Sequence, residues 1–189
     1  MSVSVVVPPT EDPVTLAEAK AQCRATHSAE DALIGIYIKA ATEFAQNRKN
    51  GSICTRTLEL RLDEFPGNDQ VIKLPRGPVS GVVTVKYIDE AQAEQQLAST
   101  EWTLDNRGEI AQLVPAYGKD WPATASCIDA VRVQYQAGTS AANVPASIKL
   151  FVLAMVATMF AVRESDAERV VQKHPFLDGL LDEHWEPVF

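Results

Sequence analysis

Leu58-Glu59-Leu60-Arg61-Leu62-Asp63 decides the reading of this chain. Leucines alternate strictly with charged residues there, which is the period of a strand with one dry and one wet face. Immediately upstream the period is different. Leu33, Ile36, Tyr37, Ala40, Ala41 and Phe44 recur at steps of three and four, the spacing of an amphipathic helix. The change falls at Asn50-Gly51, where glycine is expected to supply the left-handed cap. Helix therefore gives way to sheet within a few residues.

Working toward the N-terminus, Ser28 with Asp31 at the third position marks the start of that helix, over residues 29–50. A second capping-box spacing, Thr15 with Glu18, opens a short helix over 16–24. Gly35 interrupts the longer helix and predicts a close helix contact. Residues 1–14, with Pro8 and Pro9, read as an extended arm.

Working toward the C-terminus, a β block is predicted over 53–137. Val71–Leu74 and Val82–Ile88 are short strands, and Phe65 to Asp69 is turn chemistry. Glu90 to Thr100 is polar and reads as a loop or hairpin tip. Trp102–Leu104 and Ile110–Val114 flank Asp105-Asn106-Arg107-Gly108 as a hairpin. Val131, Val133 and Tyr135 alternate with Arg132, Gln134 and Gln136 in the last strand. Pro145 then fits the first turn of a long helix over 145–164, carrying Ile148, Phe151, Val152, Met155, Val156, Met159 and Phe160. It is apolar around much of its circumference, as expected of a helix central to a core or covered by neighbouring subunits. The order is α+β: an N-terminal helix pair, a mostly antiparallel β block, and an apolar C-terminal helix with an extended tail over 165–189.

Composition narrows the function. The chain has 189 residues, 46% of them hydrophobic, and a formal net charge of −8. That is globular and acidic, which disfavours both nucleic-acid wrapping and anionic membrane surfaces. Cys23, Cys54 and Cys127 are odd in number and widely spaced, so a disulfide framework is not expected. The N-terminus has no basic region ahead of its short apolar run and does not read as a signal peptide. Leu150 to Val162 is too short an apolar stretch to span a bilayer.

Catalytic motifs are missing. There is no G-x-S-x-G elbow, Walker A loop, G-x-G-x-x-G turn or H-E-x-x-H pair. Cys23 and His27 would share a helix face only if the first helix reached His27, and two more metal ligands would be required. Asp178, Asp182 and Glu183 near His184 read as a solvated helix face, and Arg48-Lys49 as favourable charge at a helix C-terminus. No catalytic, metal or cofactor residue is assigned. Tyr117 and Trp121, in a proline-bounded loop, fit either a docking surface or a core lid. Trp185, Pro187 and Phe189 at the chain end suit insertion into a partner.

Several segments in order form a larger pattern: Pro13 to Lys20, Leu74-Pro75-Arg76-Gly77-Pro78-Val79, Val114 to Pro122, Val131 to Gly138, Val144 to Lys149, and the helix end at Arg163-Glu164. Over Pro13 to Glu164 the chain resembles the head–tail connector (adaptor) family of long-tailed bacteriophages and prophages, and the similar part of gene transfer agents. The resemblance implies a structural virion protein of the head–tail neck, assembled in the host cytoplasm. Such proteins form a ring, commonly of twelve subunits, beneath the portal. The ring extends the DNA channel without sequence-specific binding and docks a tail-side stopper or tail-terminator protein. It implies no enzyme activity, cofactor or membrane. An acidic lumen would let DNA slide.

The expected subunit interface comprises Ile36, Phe44, Phe151, Met155 and Met159. By analogy with the family, the expected portal- or neighbour-docking residues are Phe176, Leu177, Leu180, Leu181, Trp185 and Phe189. Arg48 to Ser52 and the 90–100 tip are further contact candidates. Two other readings fit the residues: a tail-side completion or stopper part, and a small cytoplasmic enzyme assembled around Asp105, His27 or the C-terminal carboxylates.

Overall fold

The computed structural model describes residues 1–67, 71–161 and 179–181. They fall into two compact units that interleave along the chain. One takes Met1–Thr10 and Thr55–Gly138, the other Glu11–Cys54 and the chain from Thr139 on. The connector domain expected over 15–164 contributes to both units. Each unit gathers its own apolar core, because period-two and helical faces bury their side chains in different geometries.

In the helical unit, α1 (Leu16–Cys23) begins on the anticipated capping box. Thr15 Oγ1 accepts from Glu18 N–H at 3.2 Å, and Thr15 N–H donates to the Glu18 carboxylate at 2.6 Å. The Thr15 N–H and the Thr15 hydroxyl, which donates at 2.8 Å, hold the Glu18 carboxylate below its usual range. The helix stops at Arg24, whose φ of 54° is left-handed. Helix α2 (Asp31–Lys49) is two residues shorter at its start than expected, since the N-cap is Glu30 and has no side-chain cap bond. It ends on Asn50 in the left-handed region, not on Gly51. Asn is one of the few residues besides Gly that adopts that conformation at helix ends. Helix α3 (Ala146–Ala161) follows a short 3-10 turn, and residues 162–164 of the expected helix lie outside the described residues. The core joins Ile34, Ile38, Ala41 and Ala45 of α2 to Ile148, Phe151, Val152 and Val156 of α3. Gly35 makes no close contact: a Cβ there would meet nothing within 4 Å.

The other unit is a pair of sheets around one core. The larger contains β1 (Ser2–Val7), β2 (Arg56–Leu62), β4 (Val79–Ile88), β5 (Glu94–Leu97) and β8 (Val131–Ala137), in the order β1-β2-β8-β4-β5, all neighbours antiparallel. The smaller has β3 (Ile72–Leu74), β7 (Ala111–Pro115) and β6 (Trp102–Asp105), in the order β3-β7-β6. Register places Leu58 opposite Tyr135, and Leu60 opposite Val133, so the alternating residues share the dry face. Glu59 and Gln134 share the other.

The extended N-terminal arm contains an edge strand, Ser2–Val7, paired with β2. The polar stretch 90–100 is not all loop, because Glu94–Leu97 forms β5 against β4. Its Gln-rich sequence has little intrinsic strand signal, and backbone pairing overrides it.

Tyr135 is fully buried, and its hydroxyl donates to the Pro75 carbonyl at 2.7 Å. This ties the central strand to the Pro75–Pro78 turn, which contains a cis Gly77–Pro78 bond. Tyr135→Phe is expected to cost ~1–2 kcal/mol, read from urea unfolding, because the carbonyl loses its partner while the ring packing survives.

Candidate functional site

The helical unit carries exposed apolar residues on both of its longer helices. Helix α2 turns Ile34, Ile38, Ala41 and Ala45 inward, which leaves Leu33, Ile36, Ala40 and Phe44 along the opposite stripe at steps of three and four. Ile36 is 61% exposed and Phe44 48%. Helix α3 buries only Ile148, Phe151, Val152 and Val156, although nearly all its residues are apolar. Leu150 is exposed, and Leu153, Met155 and Met159 are half-buried. An apolar helix with an incompletely covered circumference is what a subunit interface requires.

The expected interface residues divide accordingly. Ile36 and Phe44 are on the surface, and Met155 and Met159 are at its margin. Phe151 is corrected to a core residue. Only 1% of it is exposed, and its ring stacks on Phe44 with centroids 6.1 Å apart. Among the expected docking residues, Leu181 is likewise corrected. It is 1% exposed and belongs to the helical core, with Leu180 packed against that core. Phe176, Leu177, Trp185 and Phe189 lie outside the described residues, as do Pro187, Asp178, Asp182, Glu183 and His184.

The proline-bounded loop separates its two aromatics. Trp121 is buried and stacks on Phe65 at 4.9 Å, so it closes the β core. Tyr117 is fully exposed. Lys49 is buried and therefore does not form a surface patch with Arg48. Sequence alone could not separate these pairs, because each joins residues of one type that differ only in where the backbone aims them.

The wet face of the larger sheet is a network of charge. Glu59 accepts from Arg61 Nε at 2.7 Å and from Gln134 Nε2 at 2.8 Å. Burial pushes the Glu59 carboxyl up, but these bonds and the Arg61 and Arg132 charges outweigh it and hold the group below its usual range. Lys86 and Arg132 both reach Glu94, at 2.8 and 3.3 Å. On the smaller sheet, Asp105 at the end of β6 is held near 2 by the guanidinium of Arg107. These are structural pairings of opposite charge and not a set of convergent acids and bases.

Other chemical candidates are scattered. Cys23 ends α1, and the left-handed Arg24 takes the chain off the helix before His27. Asp105 sits on the fork of Arg107. An open cleft of about 630 Å³ lies between Ile88, Glu90, Gln92 and residues 124–127, with Glu90 and Cys127 the titratable lining groups among the described residues. No described helix is long and apolar enough to cross a membrane.

The cysteines differ sharply. Cys54 is buried, and burial with the Asp12 and Glu11 charges pushes its thiol up to about 11. Cys127 is exposed. With an aromatic disulfide reagent at about pH 8, Cys127 is expected to react at once and Cys54 only after unfolding, since roughly one Cys54 in a thousand would be thiolate even if accessible. Prompt modification of Cys54 would contradict this packing.

A search of curated proteins finds no significant match. Three solved structures share the fold. A chain in the virion of a native gene transfer agent (GTA) particle superposes with a TM-score of 0.80 at 24% identity, covering 100% of this chain and 97% of that one. A chain in the neck of an empty GTA particle, computed with C6 symmetry, gives 0.79 at 22% identity, with the same coverage. A chain in the neck of a native GTA particle, computed with C12 symmetry, gives 0.74 at 21%, again with 100% and 97% coverage. The family model of phage gp6-like head–tail connector proteins matches residues 13–107, half of the chain, from α1 through the β6 strand, and the chain belongs to that family.

Proposed function

We infer that this chain is a structural subunit of the neck of a phage-like particle, where copies form a ring between portal and tail. It acts by assembly and not by catalysis. Family membership over residues 13–107 is the observation that carries this reading. The uncovered apolar stripes of α2 and α3 support it, because a heterologous contact between different faces of successive subunits would cover both at once and close a ring. The solved GTA necks with C6 and C12 symmetry support ring architecture, and a twelve-fold ring is the natural expectation.

In this reading the portal binds one side of the ring and a stopper or tail-terminator protein the other. The segment from Phe176 to Phe189 contacts a neighbouring protein through Phe176, Leu177, Trp185 and Phe189. Leu181, buried in the helical core, anchors the segment. DNA passes through the lumen without sequence-specific contacts, and the net charge of −8 favours an acidic wall.

The test is electron microscopy of the full chain mixed with the portal encoded beside it. A ring stacked on the portal around an axial hole is the expected image. A chain that never joins the portal, but joins a tail tube, would make it a tail-side part instead.

A further inference from the structure

We propose that Tyr117 is a docking knob for a second copy of this chain, entering that copy's cleft beside Ile88, Glu90 and Cys127.

Among the described residues, Tyr117 and Ile128 are the most exposed of the large hydrophobic side chains, Tyr117 fully and Ile128 at 84%. The loop that carries Tyr117 is tied down. The Lys119 N–H donates to the Ala116 carbonyl at 2.9 Å, and Gly118 has φ 73°, as the second central residue of a type II turn requires. Ahead of the turn, the Ala116 N–H donates to the Glu101 carbonyl at 2.9 Å. Behind it, Trp121 is buried and stacks on Phe65. The turn thus holds an aromatic ring out in water on a fixed backbone. A tyrosine presented this way loses little conformational entropy on binding, and tyrosine is among the residues that dominate interface energies.

The same unit carries a matching socket. The cleft of about 630 Å³ has room for the ring. Ile88 and Ala125 give it apolar walls, and Gln92, Thr124 and Ser126 offer polar groups to the phenol hydroxyl. Such a mixed lining suits a side chain with an apolar body and a polar end. Ile128 directly follows the lining residue Cys127, so the second exposed apolar side chain lies beside the cleft. Charge points to a second copy as the partner. Lys119 follows the knob and Glu90 lines the cleft, so opposite charges meet although two chains of net charge −8 repel as wholes. Because Tyr117 is fully exposed, it does not fill the cleft of its own chain. Every copy then offers one knob and one socket. That is a heterologous contact, which repeats from copy to copy until a ring closes. It rests on the ring reading's packing of copies side by side, and adds to it a contact made by the sheet unit.

The experiment is zero-length carbodiimide cross-linking of the full chain, mixed from unlabelled and heavy-isotope copies, alone and with the portal encoded beside it. The expected product is an amide between Lys119 of one copy and Glu90 of another, seen as a mixed-label peptide pair. Tyr117→Ala should weaken the contact ~30-fold or more, the loss expected for an aromatic anchor, and remove that product at an unchanged thermal midpoint. Cys127 should be shielded from thiol reagents in assembled copies and reopened by the same variant. A product found only within single copies, or one that survives Tyr117→Ala, overturns the proposal. Portal-bound rings without the mixed-label product also overturn it and leave the ring reading standing. The product without portal-bound rings upholds the knob contact and counts against the neck reading. Absence of both product and rings overturns both.

Discussion

Phe151→Ala is expected to destabilise the helical unit by ~3–5 kcal/mol, the range for removing a fully buried phenylalanine. Only 1% of the side chain is exposed, and it lies at the α2–α3 contact, with Ile34 and Val152 in the same core and the Phe44 ring stacked over it at 6.1 Å. Alanine would leave a ring-sized void that rigid helices cannot collapse to fill. With a urea slope of ~1–2 kcal/mol/M, the midpoint followed by helical ellipticity should fall by about 1.5 M or more. Phe44→Ala removes the other ring of the stack. That ring is 48% exposed, so about 1 kcal/mol is expected from it. Equal losses at the two positions would mean that Phe151 is not the core residue its burial indicates.

The largest functional effect is expected from Ile36→Asp. Ile36 is 61% exposed and projects from the outer stripe of α2, so the free chain should lose no more than ~0.5 kcal/mol of stability. In a ring, the same carboxylate would be buried against an apolar neighbour with no partner. Isolated charges in such places cost ~3–5 kcal/mol, which is roughly 10²–10⁴-fold in the affinity of each interface. Repeated at every interface, that should abolish rings on the portal. Val83→Asp is the matched control, because Val83 is 50% exposed on the β unit and outside both helical stripes. Rings counted by electron microscopy and mass photometry should vanish for the first variant and persist for the second. Persistence in both would move the subunit contact away from α2.

The helices were legible because their signals are local. The Thr15–Glu18 box, the three-and-four spacing of α2 and Pro145 act within one or two turns, and each helix begins or ends within about two residues of its expected bound. The strands of strict alternation, β2 and β8, were legible for the same reason. β1 and β5 were not. β5 is polar and Gln-rich and becomes a strand because β4 offers a paired edge, whereas the alternation of Ser2-Val3-Ser4-Val5 is short and runs straight into Pro8-Pro9, so that it reads as an extended arm until β2 pairs with it. The interface candidates show the same limit. Spacing assigns Phe44 and Phe151 to helices, but one lies on the wet side and the other beneath it. That difference comes from where α2 and α3 cross.

Composition, period and caps therefore carry the α+β class, the acidic surface and the lack of catalytic motifs, since each is a property of neighbours in the chain. Packing carries the rest. It sets the division into two interleaved units, buries Trp121 while leaving Tyr117 in solvent, and commits Leu181 to the core. These depend on contacts between residues far apart in sequence, where small differences in burial free energy choose among backbones that local preference leaves nearly equal.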